Sequence, residues 1–287
     1  MDHYLVINSS EEGFNNNKKV MERLLIVVVV MLLYGTGKAQ KLKNEFEYKV
    51  TYDLSYKLDS TDLGSEKSEY IILFLGSDVS VYSSRAKTMS QSVVTNGFSG
   101  HTSKSALTKF HSIIVKDSKK EKIYYTLQVP GIPEDHFYYT QDRDLMQWEI
   151  GSETKEIEGY QAQEATTNFA GRTYVAWFTP EIPTSEGPYK FNGLPGLILE
   201  ISDTENHYTF TFKGFEKVSE KLPFRLNLNK LIATDKEELE ELWHRYRLDP
   251  FTYNNNPKVT MDPQTHKKYR EAFAQMLEKE NNPIELN

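Results

Sequence analysis

A long succession of short segments with strand character most constrains what this chain can fold into. Between about Glu45 and Leu231, segments that alternate apolar and polar residues, or that are apolar throughout, are separated by clusters of turn residues. Aromatic residues, which favour strands, make up 13% of the chain. The pattern predicts a mainly β fold, built as an antiparallel open barrel or sandwich.

Two C-terminal α-helices are predicted after this β region and complete the expected fold class. Thr234 is expected to be the N-cap of the first helix, because Glu237 follows three residues later and would form a capping box. Pro250 is expected to end that helix. A second helix is predicted from about Pro263 to Lys279.

Residues 1–39 are predicted to form a secretory signal peptide, with Met21 as an alternative translation start. The apolar run Leu24–Leu33 follows the basic residue Arg23, and Ala39 ends a small-residue cleavage site. The run is shorter than the roughly 20 apolar residues that a spanning helix needs, although a retained anchor is the alternative. We therefore expect cleavage after Ala39, no stable transmembrane anchor afterwards, and a soluble periplasmic or secreted protein.

The predicted mature chain consists of an antiparallel β domain over residues 40–232 and a helical segment packed on it over residues 233–287. The whole chain has a net charge of −7, which the removal of four basic and four acidic residues in the signal peptide would not change. This charge argues against nucleic acid as a partner. The chain contains no cysteine, which excludes a disulfide scaffold, a thiol nucleophile and a lipoprotein anchor.

One motif combines turn residues with a buried strand: Gly193, Leu194, Pro195, Gly196, Leu197 and Ile198. Pro195 suits the second position of a type II turn, and Gly196 would supply the positive φ of the third position. Gly193 permits a close backbone approach or an unusual φ. The apolar run Leu197–Ile201 and the alternating run His207–Lys213 are then expected to pair as a hairpin. A folding device that fixes this hairpin is the favoured interpretation, and a role in ligand binding is the alternative.

The motif resembles the signature of the GLPGLI family of Gram-negative envelope proteins. Ile157–Ala165 resembles the family's "I-x-G-Y-x-x-x-x-A" strand, and Gly171–Pro183 resembles its "G-R-x-Y-x-A-W-[FY]-T" block. The ending Asn282–Leu286 is similar to that of many members. The specific resemblance covers residues 157–201. It implies an exported, β-rich protein of uncharacterised role, and it supplies no catalytic residues.

The sequence offers little for catalysis or metal binding. It has no His-Glu-x-x-His motif, and Gly97–His101 lacks the spacing of a nucleophile elbow. Glu134–His136 is favoured as an exposed loop over a metal site or a base. Asp142–Asp144 is expected to be the charged tip between two paired strands, Phe137–Tyr139 and Met146–Ile150. We predict no catalytic residues, no metal and no cofactor.

Five residues near the motif are the candidate ligand-binding residues: Arg172, Tyr174, Trp177, Tyr189 and Phe191. The aromatic residues would line one wall of an apolar groove with Arg172 at its mouth, although core packing is the simpler interpretation. Such a groove would suit an acyl chain or an apolar peptide with an anionic end. Replacing Trp177 by Ala is then expected to abolish binding and to leave folding cooperative.

The predicted function is a non-enzymatic envelope protein that binds a lipid, an apolar peptide or an outer-membrane protein. A periplasmic hydrolase with unplaced Glu or His catalytic residues is one alternative. A structural protein-interaction module, whose sheet edge takes a strand from a partner, is the other.

Overall fold

The computed structural model describes residues 41–86, 108–131, 136–253 and 261–286, and all twelve β-strands in these ranges belong to one sheet. The strands are β1 Lys41–Tyr56, β2 Lys67–Gly76, β3 Val79–Ser84, β4 Ile113–Asp117, β5 Lys122–Gln128, β6 His136–Asp142, β7 Glu149–Ile157, β8 Tyr160–Phe169, β9 Arg172–Thr179, β10 Leu197–Asp203, β11 Tyr208–Asn227 and β12 Ile232–Ala233. Leu63–Ser65 and Leu228–Lys230 form 3₁₀ turns. The predicted signal peptide, Gly97–His101, Glu134 and Asp135 lie outside the described residues.

The sheet is open and almost entirely antiparallel, which confirms the predicted fold class. Its strand order is β12-β6-β5-β4-β3-β2-β1-β11-β10-β9-β8-β7, and only β12 runs parallel to its neighbour β6. The predicted hairpin is also confirmed, because β10 pairs with β11 through Glu200↔Thr211 and Ile201↔Phe210. The sheet thus brings β1, early in the chain, next to β11, which comes about 160 residues later.

One predicted strand pairing is wrong, because β6 and β7 lie at opposite ends of the sheet. The chain between them does not form a hairpin tip. Arg143 is buried and its guanidinium binds Glu186, while the Trp148 indole donates a hydrogen bond to Asn192 O at 2.8 Å. These contacts place the connection against the loop between β9 and β10 and make a local hairpin impossible.

Both faces of the strands near the centre of the sheet are buried. Along β2, Ile71 and Leu73 pack in the main core, whereas Ile72 packs in a second cluster. Because successive side chains of a strand point to opposite faces, the two clusters lie on opposite sides of the sheet. The second cluster includes Phe46 from β1 and Phe224 from β11. A register shift after Phe46, seen in both pairings of β1, marks a bulge that bends this ribbon.

Two helices follow the sheet, as predicted. The first, α1, spans Lys236–Leu248. Its N-cap is Asp235, whose side chain accepts from the Glu238 amide at 2.8 Å, so the predicted N-cap Thr234 is one residue too early. The hydroxyl of Thr234 instead donates to the Glu238 side chain. An aspartate carboxylate at the N-cap carries a full charge at the positive end of the helix dipole, which a hydroxyl does not.

The second helix, α2, spans Pro263–Glu278. None of its residues is buried, whereas Leu239 of α1 packs in a small cluster with the sheet residues Leu127 and Tyr139. No helix in the described part of the chain has the length and apolar character needed to cross a membrane. Helix α1 therefore belongs to the body of the protein, and α2 is attached to it more loosely.

Candidate functional site

The last described stretch of the chain, Asn282–Leu286, lies in a groove formed by the sheet, and we call it the NPIEL segment. Its two ends are tied to the backbone of the body. The Asn282 amide donates to Leu58 O at 3.0 Å, and the Leu286 amide donates to Ala170 O at 2.9 Å. Two loops far apart in the sequence thus hold one short peptide between them.

Arg172 lies at one end of this groove and binds several groups there. Its guanidinium donates to Asn282 Oδ1 at 2.5 Å and to Pro283 O at 2.7 Å. It also pairs with Asp203 at 2.9 Å and lies 5.2 Å from the centre of the Tyr208 ring. The Arg172 side chain is only 4% exposed. The structure therefore places it in a buried network that binds the chain's own peptide.

Two tyrosines continue the groove with hydroxyl donors. Tyr208 donates to Asn282 O at 2.5 Å, and Tyr174 donates to Ile284 O at 3.1 Å. Burial raises the pKa of both hydroxyls above the ordinary value of 10, and Arg172 only partly offsets this rise. Both groups are therefore protonated donors at neutral pH.

Glu285 anchors the other end of the segment. Its carboxylate binds Lys190 Nζ at 2.5 Å, the Tyr189 hydroxyl at 2.6 Å and Lys236 Nζ at 3.0 Å. Burial alone would raise the pKa of Glu285, but these partners outweigh it and hold the pKa below its ordinary value. Glu285 is therefore a charged ligand of two lysines at neutral pH.

Lys190 lies in an aromatic cage and is fully buried. Its ammonium is 5.3–5.6 Å from the centres of three rings and donates to the Tyr139 hydroxyl at 3.1 Å; the rings are those of Tyr125, Tyr139 and Tyr189. Burial lowers the pKa of Lys190, and the ion pair with Glu285 opposes that shift. The cage and Glu285 together supply the partners that a buried ammonium needs.

A cavity of about 160 Å³ lies beside the NPIEL segment, under α1. Its walls are mainly apolar and aromatic and include Tyr125, Leu127, Leu239, Trp243, Ile284 and Glu285. Sites for drug-sized ligands usually measure about 300 to 1,000 Å³. The cavity is therefore too small for a long acyl chain while the segment stays in place.

A second buried ion network holds the β9–β10 loop, which comprises residues 180–196. Glu186 accepts from Ser80 at 2.8 Å and pairs with Lys116 at 2.8 Å and with Arg143 at 3.0 Å. The Lys116 ammonium also donates to two carbonyls of the loop, Gly187 O and Phe191 O. This network fixes the loop from which Tyr189 and Lys190 reach the groove.

The motif at the end of this loop adopts a different turn from the predicted type II turn. Gly193, not Gly196, has the positive φ, of 99°. The Gly196 amide donates to Leu194 O at 2.8 Å, which closes a three-residue turn around Pro195. A Cβ on Gly196 would lie 2.1 Å from Thr179 O. The close approach of β9 therefore explains this glycine, and tertiary packing decides the turn.

The five predicted ligand-binding residues do not line one wall. Arg172, Tyr174 and Tyr189 converge on the NPIEL segment. Phe191 is fully buried among aromatic rings, with the Tyr174 ring centre at 4.7 Å. Trp177 alternates with Tyr174 along β9, so it points to the other face, where Lys155 Nζ lies 4.3 Å from its ring centre. The role of Arg172, Tyr174 and Tyr189 in ligand binding stays a prediction, whereas the position of Trp177 argues against the loss of binding expected when Ala replaces it.

One group of described residues has the composition of a metal site, namely Asp203, Glu205 and His207, whose ligand atoms lie within 4.8 Å of one another. Arg172 Nη1 lies 2.9 Å from Asp203 Oδ2 and 3.2 Å from His207 Nδ1. A guanidinium is always charged, so it already supplies the positive charge between these two side chains. The arrangement suits an arginine anchor better than a cation site.

Sequence reasoning missed the buried charges Lys116, Arg143, Glu186 and Lys190. A signal was present for Lys116, which follows Ile114 by two residues in a strand and therefore points to the same buried face. Lys190 is flanked by two aromatic residues, which was a weaker signal. Nothing local marked Glu285 as the partner of Lys190, or Asn282 as the partner of Arg172, because about 95 to 110 residues separate the two sides.

The comparisons with known proteins concern one stretch of the sequence and the fold. A family model described as a protein of unknown function (Porph_ging) matches residues 169–200, which include Arg172, Tyr174, Lys190 and the glycine motif. No curated protein matches the chain.

Two solved structures are similar in fold. They are "Structure of PNGF-II in P21 space group", with a TM-score of 0.50 and 15% identity over 70% of this chain, and "Structure of PNGF-II in C2 space group", with a TM-score of 0.49 and 15% identity over 71%. The chain covers only 34% and 33% of those two proteins. At this identity the first likeness concerns the fold alone.

Proposed function

We propose that this protein is exported to the periplasm or beyond and acts there as a non-enzymatic binding protein. Its site is the groove that holds the NPIEL segment, together with the aromatic cavity beside it. Its ligand is apolar with an anionic end, and it takes the place of the segment. The observation that carries the proposal is that three residues selected from the sequence, Arg172, Tyr174 and Tyr189, all donate hydrogen bonds into this groove.

The chemistry of the groove supports a ligand of this kind. Lys190 and Lys236 converge on a carboxylate at one end. The rings of Tyr125 and Trp243 line the adjoining cavity, which would be continuous with the space vacated by the segment. An apolar wall with a few converging polar groups is typical of sites for small ligands.

The charged groups of the groove favour binding over catalysis. Glu285, Lys190 and Arg172 each have an ion-pair partner within the chain. A general acid or base must instead reach a reacting group, with a pKa near the working pH. The lysines and the tyrosine hydroxyl that bind Glu285 outweigh its burial and hold its pKa below the ordinary value, which suits a fixed charge rather than a proton carrier.

Native mass spectrometry of the mature protein, purified from its own periplasm and combined with lipid extraction, tests this function. We expect a co-purifying apolar acid or peptide, and an N-terminus at Gln40. Binding should be weakened in Lys236→Ala, which removes one lysine of the anionic subsite, and preserved in the control Trp177→Ala on the other face of β9. Apo protein in every preparation, or equal loss of ligand from both variants, would contradict the proposal.

A further inference from the structure

The groove contacts the NPIEL segment in two ways, through its backbone and through two of its side chains. Five backbone groups of the segment are bound. Leu58 O and Ala170 O accept from two segment amides, and the Tyr208, Arg172 and Tyr174 side chains donate to three successive carbonyls. Main-chain hydrogen bonds of this kind hold a peptide regardless of its side chains.

Two side chains of the segment are recognised individually. Asn282 is 4% exposed, accepts from Arg172 through Oδ1, and donates through Nδ2 to Lys57 O at 2.7 Å. An aspartate could not make that last bond, because a carboxylate has no donor. Glu285 is bound by two lysines and a tyrosine hydroxyl. The groove thus distinguishes Asn at the first position and Glu at the fourth.

The other positions are less specific. Pro283 is exposed and Leu286 is 52% exposed, so the groove places little demand on them. Ile284 is half-buried, packs against the main core and lines the cavity beside the segment, so this position requires only an apolar side chain. The recognised pattern is Asn-x-x-Glu with an apolar residue before Glu, in a backbone that bends at that residue.

The segment is also attached in a way that permits exchange. It follows α2, which has no buried residue. Between helix and segment, Glu280 is bound by Lys109 and Arg247, whose side chains are 34% and 24% exposed. Partly exposed ion pairs of this kind contribute little to stability. Asn281 adds hydrogen bonds to Ser60 and Asp59, all of them exposed. The buried contacts in the groove are thus the main anchor of this part of the chain.

We propose that the groove is a receptor for Asn-x-x-Glu peptides of other exported polypeptides, and that the NPIEL segment is an intramolecular copy of that ligand, which a partner must displace. This inference rests on the proposed function and names the class of its ligand. Because the internal copy is tethered, it competes at a high effective concentration. A free peptide is therefore expected to bind the unaltered protein weakly and a protein with a weakened segment more tightly.

A fluorescein-labelled peptide with the sequence of residues 280–286, Glu-Asn-Asn-Pro-Ile-Glu-Leu, tests the proposal by anisotropy titration. The receptors are the mature wild-type chain and Asn282→Ala, whose own segment has lost its first anchor. We expect the variant to bind at least about tenfold more tightly than wild type, since a hydrogen bond to a charged group is worth about 10-fold or more. Peptides in which Ala replaces the second Asn or the second Glu should bind this variant with an affinity that is lower by a similar factor. A peptide in which Ala replaces Pro should keep its affinity.

Thermal unfolding of the variant establishes that the receptor is folded. If Asn282→Ala does not fold, Glu285→Gln serves as the receptor instead, because Gln keeps the size of the side chain. The inference is overturned if a folded variant does not bind the peptide. It is also overturned if the variant binds the Asn-substituted and Glu-substituted peptides as tightly as the unsubstituted peptide.

Palmitate, an apolar chain with a carboxylate, separates this inference from the function on which it rests. If palmitate binds the same receptors and the peptide does not, the Asn-x-x-Glu specificity is wrong and the binding function stands. If neither binds, the proposed function fails as well.

Discussion

The β9–β10 loop and the NPIEL segment are both irregular stretches held by a buried lysine–glutamate pair, but they are buried to different depths. In the loop, the pair is Lys116 with Glu186, and both side chains are at most 10% exposed. In the segment, Glu285 is equally buried, yet its neighbours Pro283 and Leu286 face solvent. A buried lysine–glutamate pair therefore stabilises a loop of the core in one region and a peptide docked at the surface in the other.

Lys190 joins the two regions. It belongs to the β9–β10 loop, but its ammonium binds Glu285 of the segment. The loop, fixed by Glu186, thus acts as the rigid part that presents Lys190 and Tyr189 to the groove. Rigid support of binding groups is what keeps a site in the geometry that its ligand requires. Disturbing the loop should affect both regions, whereas disturbing the segment should affect only one.

The largest expected effect comes from Glu186→Ala. This change leaves the buried Lys116 and Arg143 without their shared carboxylate, and breaking a buried pair in this way typically costs about 3–5 kcal/mol. Urea unfolding followed by tryptophan fluorescence measures the free energy of unfolding. Glu186→Gln, which retains hydrogen-bonding atoms, should lose less. An unfolding free energy within about 1 kcal/mol of wild type would show that the loop is held no more firmly than the segment.

Acidification should release the segment. Because the folded-state pKa of Glu285 lies below its ordinary value of 4.5, the ionised group stabilises the docked segment above that pH. This stabilisation is lost as the pH falls through the lower folded-state value, and protonation also leaves Lys190 buried without its anion. Hydrogen exchange at the Asn282 and Leu286 amides should therefore accelerate, once corrected for intrinsic rates, while the Gly193 amide stays protected.

Two variants separate Glu285 from the other groups that face it. Glu285→Gln should already be open at neutral pH and show no further acid step. Glu240 on α1 also acts on this site, and burial raises its pKa, so it titrates at a higher pH than Glu285. Glu240→Gln should therefore leave the acid step in place. If the step disappears in Glu240→Gln instead, Glu285 is not the group that holds the segment.

The smallest effect is expected from Tyr174→Phe. The change removes one hydroxyl donor to Ile284 O and should cost about 1 kcal/mol of docking free energy, as a single hydrogen bond usually does. Exchange at the Leu286 amide should rise by about fivefold, and global unfolding should barely change. Tyr70→Phe, at a side chain that is 45% exposed, is the matched control. A large loss of global stability would place the segment in the core, like the loop.

The parts of this structure that follow from local patterns were predictable from the sequence. Period-2 alternation identified the strands and the β10–β11 hairpin, and helical spacing identified α1 and α2. The turn at Gly196 was not predictable, because the approach of Thr179 O from another strand decides it. The prediction of a groove for a peptide with an anionic end did select Arg172, Tyr174 and Tyr189. It could not reveal that the chain itself supplies such a peptide, since that requires knowing which distant residues meet.

The pairing of β1 with β11 has a consequence for how this protein reaches its folded state. Tyr52 lies opposite Phe212, so the first strand of the sheet must wait for a partner synthesised about 160 residues later. β1 can close a hairpin with β2 early, but its other edge stays unpaired until β11 arrives. Long-range pairing slows folding, and an open edge invites association with other chains. This chain should therefore fold late and as a whole, and depend on protection against aggregation until β11 is in place.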